Sequence, residues 1–172
     1  TNPPTSNKKE FQRKLDLAKN RMYCNYAFYF GATAENADEL ADLKNLEGCC
    51  GIKLFAGSST GNLLVAAEKD IDKVFQNSSK VVAVHSEDEE ILNQNKKLIK
   101  KGDVHSHPIW RSEECAMSST RRIVKIAKKY NKKAHVLHIS TKQEIDFLSQ
   151  HKGNITFEIT PQHLTIYAPD CY

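Results

Sequence analysis

Four short apolar runs recur along this chain: Ile52-Lys53-Leu54-Phe55, Val81-Val82-Ala83-Val84, Ala134-His135-Val136-Leu137 and Ile155-Thr156-Phe157-Glu158-Ile159. Each is too short for a buried helix and most are rich in β-branched residues, so each reads as a strand. A further strand is expected from Tyr23 to Phe30. No Asn-Gly or Asp-Gly dipeptide joins any two of them. Strands that do not turn straight back must cross over through intervening chain and run parallel.

The intervening segments carry the 3.6-residue period such crossovers need. Asn7 and Glu10 predict a helix start, with Phe11, Leu15 and Ala18 on one face. Leu40, Ala41 and Leu43 predict a helix over 35–46, stopped by Gly48, and Ile71, Val74 and Phe75 predict another over 67–76. Further helices are expected over 88–100, 112–130 and 141–150, with a loop around Pro108. The long 112–130 helix should bury Ala116, Ile123, Ala127 and Tyr130. With no internal repeat, low-complexity tract or linker, residues 1–172 are expected to form one piece of one domain.

Chemistry enters where the strands end. Lys53 stands among Ile52, Leu54 and Phe55, and a buried ammonium must reach solvent, pair with a carboxylate or lose its charge. A neutral lysine can capture carbon dioxide as a carbamate, whose two oxygens can bridge divalent cations. The next strand delivers His85 at its carboxyl end, and the one after it delivers His138. Parallel strands gather their carboxyl ends on one face, where Lys53, His85 and His138 would meet. Singly, each has an ordinary reading: a lysine on a solvated edge, or a histidine held in a structural hydrogen bond.

Composition narrows the function classes. The formal net charge is +4, and the lysines come as dispersed pairs such as Lys96-Lys97 and Lys128-Lys129 without interleaved aromatics, which describes helix surface rather than a nucleic-acid patch. The five cysteines, Cys24, Cys49, Cys50, Cys115 and Cys171, include no C-x-x-C pair and leave at least one thiol free, as expected of a reducing cytoplasm. No apolar run is long enough to cross a membrane, and no amino-terminal signal pattern is seen.

Six segments then fall in register with one family. Asn2-Pro3-Pro4-Thr5, Tyr29-Phe30-Gly31-Ala32-Thr33, Lys53 through Gly61, His85-Ser86-Glu87-Asp88, His138-Ile139-Ser140-Thr141 and Thr160-Pro161-Gln162-His163-Leu164 resemble, in order and approximate spacing, the dihydroorotases of the cyclic amidohydrolase superfamily. The resemblance runs from the first residues to the last. It implies an α/β fold of the (β/α)8 TIM-barrel type, here incomplete: about five βα units are present, whereas a whole barrel takes ~250 residues. It implies that Lys53, as a carbamylated lysine, bridges two divalent cations, most simply zinc, and that His85 and His138 ligate one of them. It also implies an upstream His-x-His pair, an arginine and asparagine for the substrate carboxylate, and a downstream aspartate as general base. No catalytic residue in that sense lies within this segment, so the chain by itself is expected to be inactive.

The reaction implied is reversible closure of carbamoyl aspartate to dihydroorotate, in pyrimidine biosynthesis. An allantoinase or hydantoinase would share the lysine and both histidines, and a truncated homologue serving as a scaffold would need none of the chemistry. The implied partner is a small-molecule substrate, with no nucleic acid or membrane. The open edges of a partial barrel also favour association with another chain, including a second copy. Some dihydroorotases place an aspartate in the bridging role, which leaves an unmodified Lys53 as an alternative.

The other histidines receive lesser roles. His105 and His107 alternate as a metal pair would, but in a loop; His135 faces away from Val136 and is out of step with His138; His163 is assigned a structural role and His151 a helix end. Ser58, Ser59 and Thr60 between Gly57 and Gly61 suggest a phosphate loop, yet lack the lysine of one. Trp110 before Arg111 departs from the aliphatic residue that the family pattern leads one to expect.

Overall fold

The computed structural model describes residues 2–57 and 62–168. Five strands, β1 (Phe28–Gly31), β2 (Cys49–Phe55), β3 (Val82–His85), β4 (Ala134–Val136) and β5 (Ile155–Phe157), form one sheet. Their spatial order is their chain order, and every neighbouring pair is parallel. That is the arc of a (β/α)8-type barrel, as the helix-separated strands without hairpin turns lead one to expect. Helices α1 (Lys8–Ala18), α2 (Glu68–Asn77), α3 (Glu89–Asn95), α4 (His107–Trp110), α5 (Glu113–Lys129), α6 (Lys142–Ser149) and α7 (Pro161–Thr165) lie between and around them. No helix among the described residues is long and apolar enough to cross a membrane.

Strand register sorts the side chains onto two faces. Ile52, Val82, Ala134 and Ile155 stand in one row, and Leu54, Val84, Val136 and Phe157 in the row two residues on. Both rows except Phe157, which is partly buried and packs against it, belong to the main apolar core, together with Ile71, Val74 and Phe75 of α2, Ile123, Val124, Ile126 and Ala127 of α5, and Leu148 of α6. Withdrawing a leucine or isoleucine from water contributes about 1.5–3 kcal/mol, so this helix-covered face holds the sheet. The intervening row, Lys53, Ala83, His135 and Thr156, points to the opposite face, as do Phe55 and His85 one step further.

Several elements differ from the sequence reading. The first strand begins only at Phe28, because Tyr23, Cys24 and Tyr26 are exposed and give the sheet nothing to bury. Residues Ala37–Asn45 form a 3-10 helix, not an α-helix. The buried positions there are Ala37, Leu40 and Leu43, and a strict three-residue spacing matches three residues per turn. The helix expected over 88–100 stops at Asn95 and continues as a 3-10 turn, Lys96–Leu98. Pro108 lies inside the short helix α4 rather than in a loop, its fixed φ being suited to a first turn. In α5 the buried face is Cys115, Ser119, Thr120, Ile123, Val124, Ile126 and Ala127, and Ala116 is only partly buried.

Gly48, just before β2, has φ +72°, and a side chain there would meet Leu15 at 2.6 Å, so the turn into the central strand admits glycine. Among the described residues Cys24, Cys49, Cys50 and Cys115 are free thiols; Cys171 lies outside them.

Ile123→Ala, which removes a fully buried side chain between α5 and the sheet, is expected to lower unfolding free energy by about 2–5 kcal/mol in urea titration. Lys125→Ala on the exposed side of α5 should stay within about 0.5 kcal/mol of the parent.

Candidate active site

The carboxyl ends of β2, β3 and β4 build the site. Val82 and Val84 anchor β3 in the core, which leaves His85, its last residue, at the rim. Beyond β4 the chain continues through Leu137, whose amide donates to the Val84 carbonyl at 3.0 Å, and Ile139, whose amide donates to the Glu158 carbonyl at 2.8 Å. Between these two tethers His138 adopts φ +40°, a left-handed conformation uncommon for a residue with a side chain. The tethers hold it there, and the ring reaches His85.

His85 Nδ1 and His138 Nε2 are 3.1 Å apart. The other ring nitrogen of His85, Nε2, is 2.7 Å from Glu87 Oε2. Arg111 closes the chain with two hydrogen bonds to Glu87, Nε to Oε1 at 2.8 Å and a terminal nitrogen to Oε2. The side chains of His85, Glu87 and Arg111 are 17%, 13% and 26% exposed, so screening by water is limited. Burial alone would raise the Glu87 carboxyl, but the hydrogen bonds from His85 and Arg111, with their charges, outweigh it and hold it at about 2.

Lys53 occupies the same sheet face. Its ammonium lies 4.0 Å from the centre of the Phe55 ring and donates to the Leu54 carbonyl at 3.3 Å, and Phe55 in turn stands 6.0 Å, ring to ring, from His85. Burial lowers the lysine to about 8, against a smaller opposing pull from Glu158. His138 is lowered as well, first by burial and then by the charges of His85 and Lys53. Lys53 therefore acts electrostatically on His138, although no direct bond joins them among the described contacts.

A cleft of ≈ 750 Å³ opens over the two histidines. Glu87, Arg111, Leu137 and Ile139 line it, together with Gln162, His163, Ile166 and Tyr167. Beneath it runs a buried polar chain. Ser86 Oγ contacts Ser119 Oγ at 3.0 Å and Thr120 Oγ1 at 2.9 Å; Thr120 donates to Glu144 Oε1 at 2.7 Å, and Thr141 donates to Glu144 Oε2 at 2.8 Å. Burial raises the Glu144 carboxyl, and the two threonine hydroxyls only partly oppose it.

Of the residues read from sequence, the structure brings His85 and His138 together and sets Lys53 on their face. Two imidazole nitrogens bound at about 2.0–2.1 Å to one tetrahedral zinc stand about 3.3 Å apart, so the observed pair has a compatible separation. Among the described residues, no group of three or more histidine, cysteine, aspartate and glutamate side chains is arranged to hold a metal ion. The fit therefore depends on Lys53 as a further donor. His107 and His163 line the cleft, while His105 sits on an exposed 3-10 turn. His135 turns to Thr156 and Glu158, and His151 to Lys128. Ser58, Ser59 and Thr60, which lack the lysine of a phosphate loop, lie outside the described residues.

Glu87, Arg111, Glu144 and Glu158 are the site residues that sequence reading missed. Glu87 follows His85 at the spacing of two that places both at one strand end, and Thr141-x-x-Glu144 has the pattern of a helix capping box. Nothing local ties Arg111 to Glu87, 24 residues earlier.

No protein-family model matches the chain. Its sequence is similar to the dihydroorotase of Methanosphaera stadtmanae, 27% identical over 174 residues that cover 95% of this chain and 38% of that protein. It is similar also to the dihydroorotase of Methanosarcina mazei, 28% identical over 184 residues that cover 99% and 40%. The chain thus spans about two fifths of the length of these curated relatives. Its fold matches a solved L-hydantoinase (dihydropyrimidinase) from Arthrobacter aurescens with a TM-score of 0.83 at 23% identity, over 95% of this chain and 38% of that one. At such identity the structural likeness speaks for the fold alone. The sequence resemblance to dihydroorotases and the barrel-type parallel architecture expected from it both hold.

The buried carboxyl yields a pH prediction. Because folding raises the Glu144 pKa, its protonated form suits the folded state; that stability is present below the ordinary carboxylate range and is lost as pH rises through the elevated value. Glu144→Gln should remove this loss, so the stability of the variant relative to the parent should increase from acid toward neutral pH. Urea unfolding at several pH values checks it, and a pH-independent difference would refute it.

Proposed function

We propose that this chain forms part of the active site of a metal-dependent cyclic amidohydrolase, and that the reaction is the reversible opening of dihydroorotate to carbamoyl aspartate. The carrying observation is the facing of His85 Nδ1 and His138 Nε2 at 3.1 Å beside a lysine that burial brings to about 8. The sequence similarity to dihydroorotases over almost the whole chain supports the substrate.

Near neutral pH, such a lysine spends an appreciable fraction of its time as the free amine. Lys53 first gives one proton to solvent; its neutral nitrogen then adds to the carbon of carbon dioxide, an N–C bond forming as one C–O π pair moves onto oxygen, and a second N–H proton leaves to solvent, so that a carbamate anion replaces the cation with release of two protons. Its oxygens, with His85 Nδ1 and His138 Nε2, would hold a divalent cation, for which imidazole donors favour zinc. When bound, the metal supplies Lewis acidity toward the ring carbonyl and a hydroxide at neutral pH.

The chain's own residues do the rest of the work assigned to this segment. Leu137 and Ile139 give the cleft apolar lining, and Gln162 and His163 offer polar contacts to ring substituents. Glu87 and Arg111 keep His85 in place. In this reading the aspartate that carries the proton to the leaving nitrogen, and a His-x-His pair for a second cation, come from chain beyond these 172 residues.

A hydantoinase-type substrate would use the same lysine and histidines. The likeness to the Arthrobacter enzyme is one of fold, so the sequence relatives favour dihydroorotate. Assay of dihydroorotate, hydantoin and allantoin side by side separates these substrates in any longer protein that contains the segment.

The isolated 172-residue chain is expected to bind about one zinc equivalent and to show no robust dihydroorotate turnover, because catalytic groups that act as a unit lose most of their effect when some are absent. His85→Ala and His138→Ala should each weaken zinc binding by more than about 100-fold, beyond the range seen for residues that only support a ligand. Calorimetric titration and a chelator-controlled assay test both parts. Absence of zinc binding would overturn the metal site, and strong chelator-sensitive turnover by this polypeptide would overturn the claim of incompleteness.

A further inference from the structure

We infer that Glu87 and Arg111 are a positioning pair that locks His85 as its Nε2–H tautomer and so presents a bare Nδ1 to the site, an inference that rests on reading His85 as a residue facing a metal.

What each group can donate and accept fixes the tautomer. Arg111 has donors only, and its two bonds occupy both oxygens of Glu87, which fixes the carboxylate in plane and keeps it ionised. An ionised carboxylate accepts only. The nitrogen 2.7 Å from it, His85 Nε2, must therefore carry a hydrogen. In the neutral ring this leaves Nδ1 with a lone pair, and Nδ1 is the atom that faces His138 Nε2.

A purely structural salt bridge would account for Arg111 meeting Glu87. It would not account for the carboxylate's second engagement with one particular nitrogen of one of the two facing histidines. The surroundings also fix the pair. A Cβ on Gly57 would meet the Glu87 carbonyl at 2.5 Å, so glycine at the end of β2 lets the two strand-end loops pack closely enough to hold the Glu87 backbone. The Arg111 amide donates to the His107 carbonyl at 3.0 Å, and its guanidinium lies 5.5 Å from the centre of the Trp110 ring. Arg111 thus belongs to the turn between α4 and α5, and that turn controls a tautomer at the end of β3. Trp110, which departs from the family pattern, serves as part of this clamp.

The test is long-range proton–nitrogen NMR on the histidine rings of the full 172-residue chain without metal, at about pH 8, above the ordinary imidazole range. Wild-type His85 is expected to show Nε2 protonated and Nδ1 bare. Glu87→Ala should give a tautomer mixture and, in a parallel calorimetric titration with zinc, an affinity about 10–100-fold lower. Arg111→Lys, which keeps the charge but loses the fork, should retain more of the wild-type tautomer than Arg111→Ala. Circular dichroism and urea midpoints show whether each variant is folded. A wild-type ring protonated at Nδ1 overturns the inference whatever the variants do, and so does a folded Glu87→Ala with unchanged tautomer and zinc affinity. Failure of zinc to bind while the wild-type ring is protonated at Nε2 overturns the proposed metal site and supports the positioning pair.

Discussion

The two-residue period of the parallel strands decides where everything else in this molecule stands. Ile52 and Leu54 join the apolar core that α2 and α5 cover, and Lys53 and Phe55, one step out of phase with them, then have only the other face. The same step in β3 buries Val82 and Val84 and leaves His85 to emerge where the strand ends. A one-residue slip would bury Lys53 among the helices and turn the valines outward, at a loss of several buried side chains and with an unpaired ammonium in the core. Packing on one face therefore enforces the chemistry on the other.

That constraint explains which parts were legible in the sequence. The strands whose apolar runs meet the helices, β2 to β5, were found within a few residues, since burial wrote their pattern. So was the placement of Lys53 and His85, because it follows from alternation alone. The boundaries failed where tertiary contact overrode local pattern. The Leu40 and Leu43 segment contains an α-like spacing, but its buried residues repeat every three, and the packing selected the tighter turn. Tyr23 to Tyr26 has good strand composition and no partner to bury against.

The site was legible in its strand-end histidines and illegible in the residues that hold them. Histidines at strand ends announce themselves by position, whereas Arg111 lies 24 residues from Glu87 and reaches it only because α4 and the turn after it bring the guanidinium back over the cleft. Glu144 is readable as a cap of α6, but not as a buried acid, because one of its oxygens is held by Thr120, 24 residues earlier on α5, and only the other by Thr141 of its own cap. Side chains that act through another residue leave no local spacing to find.

Charge at Lys53 couples the two halves of the chemistry proposed here. As an ammonium, Lys53 adds to the effects of burial and of His85 in holding His138 low, so it works against protonation of His138. Conversion to a carbamate replaces that positive charge with a negative one on the same face. The electrostatic pressure on His138 would then reverse, making a cation between the imidazoles more favourable just as the carbamate oxygens become available to share it. Glu158, which already pulls weakly upward on both Lys53 and His138, would oppose the carbamate by like-charge repulsion until a cation arrives. In the chemistry proposed here, lysine modification and cation binding would each lower the electrostatic cost of the other, on a sheet face that holds both Glu158 and a lysine lowered by burial.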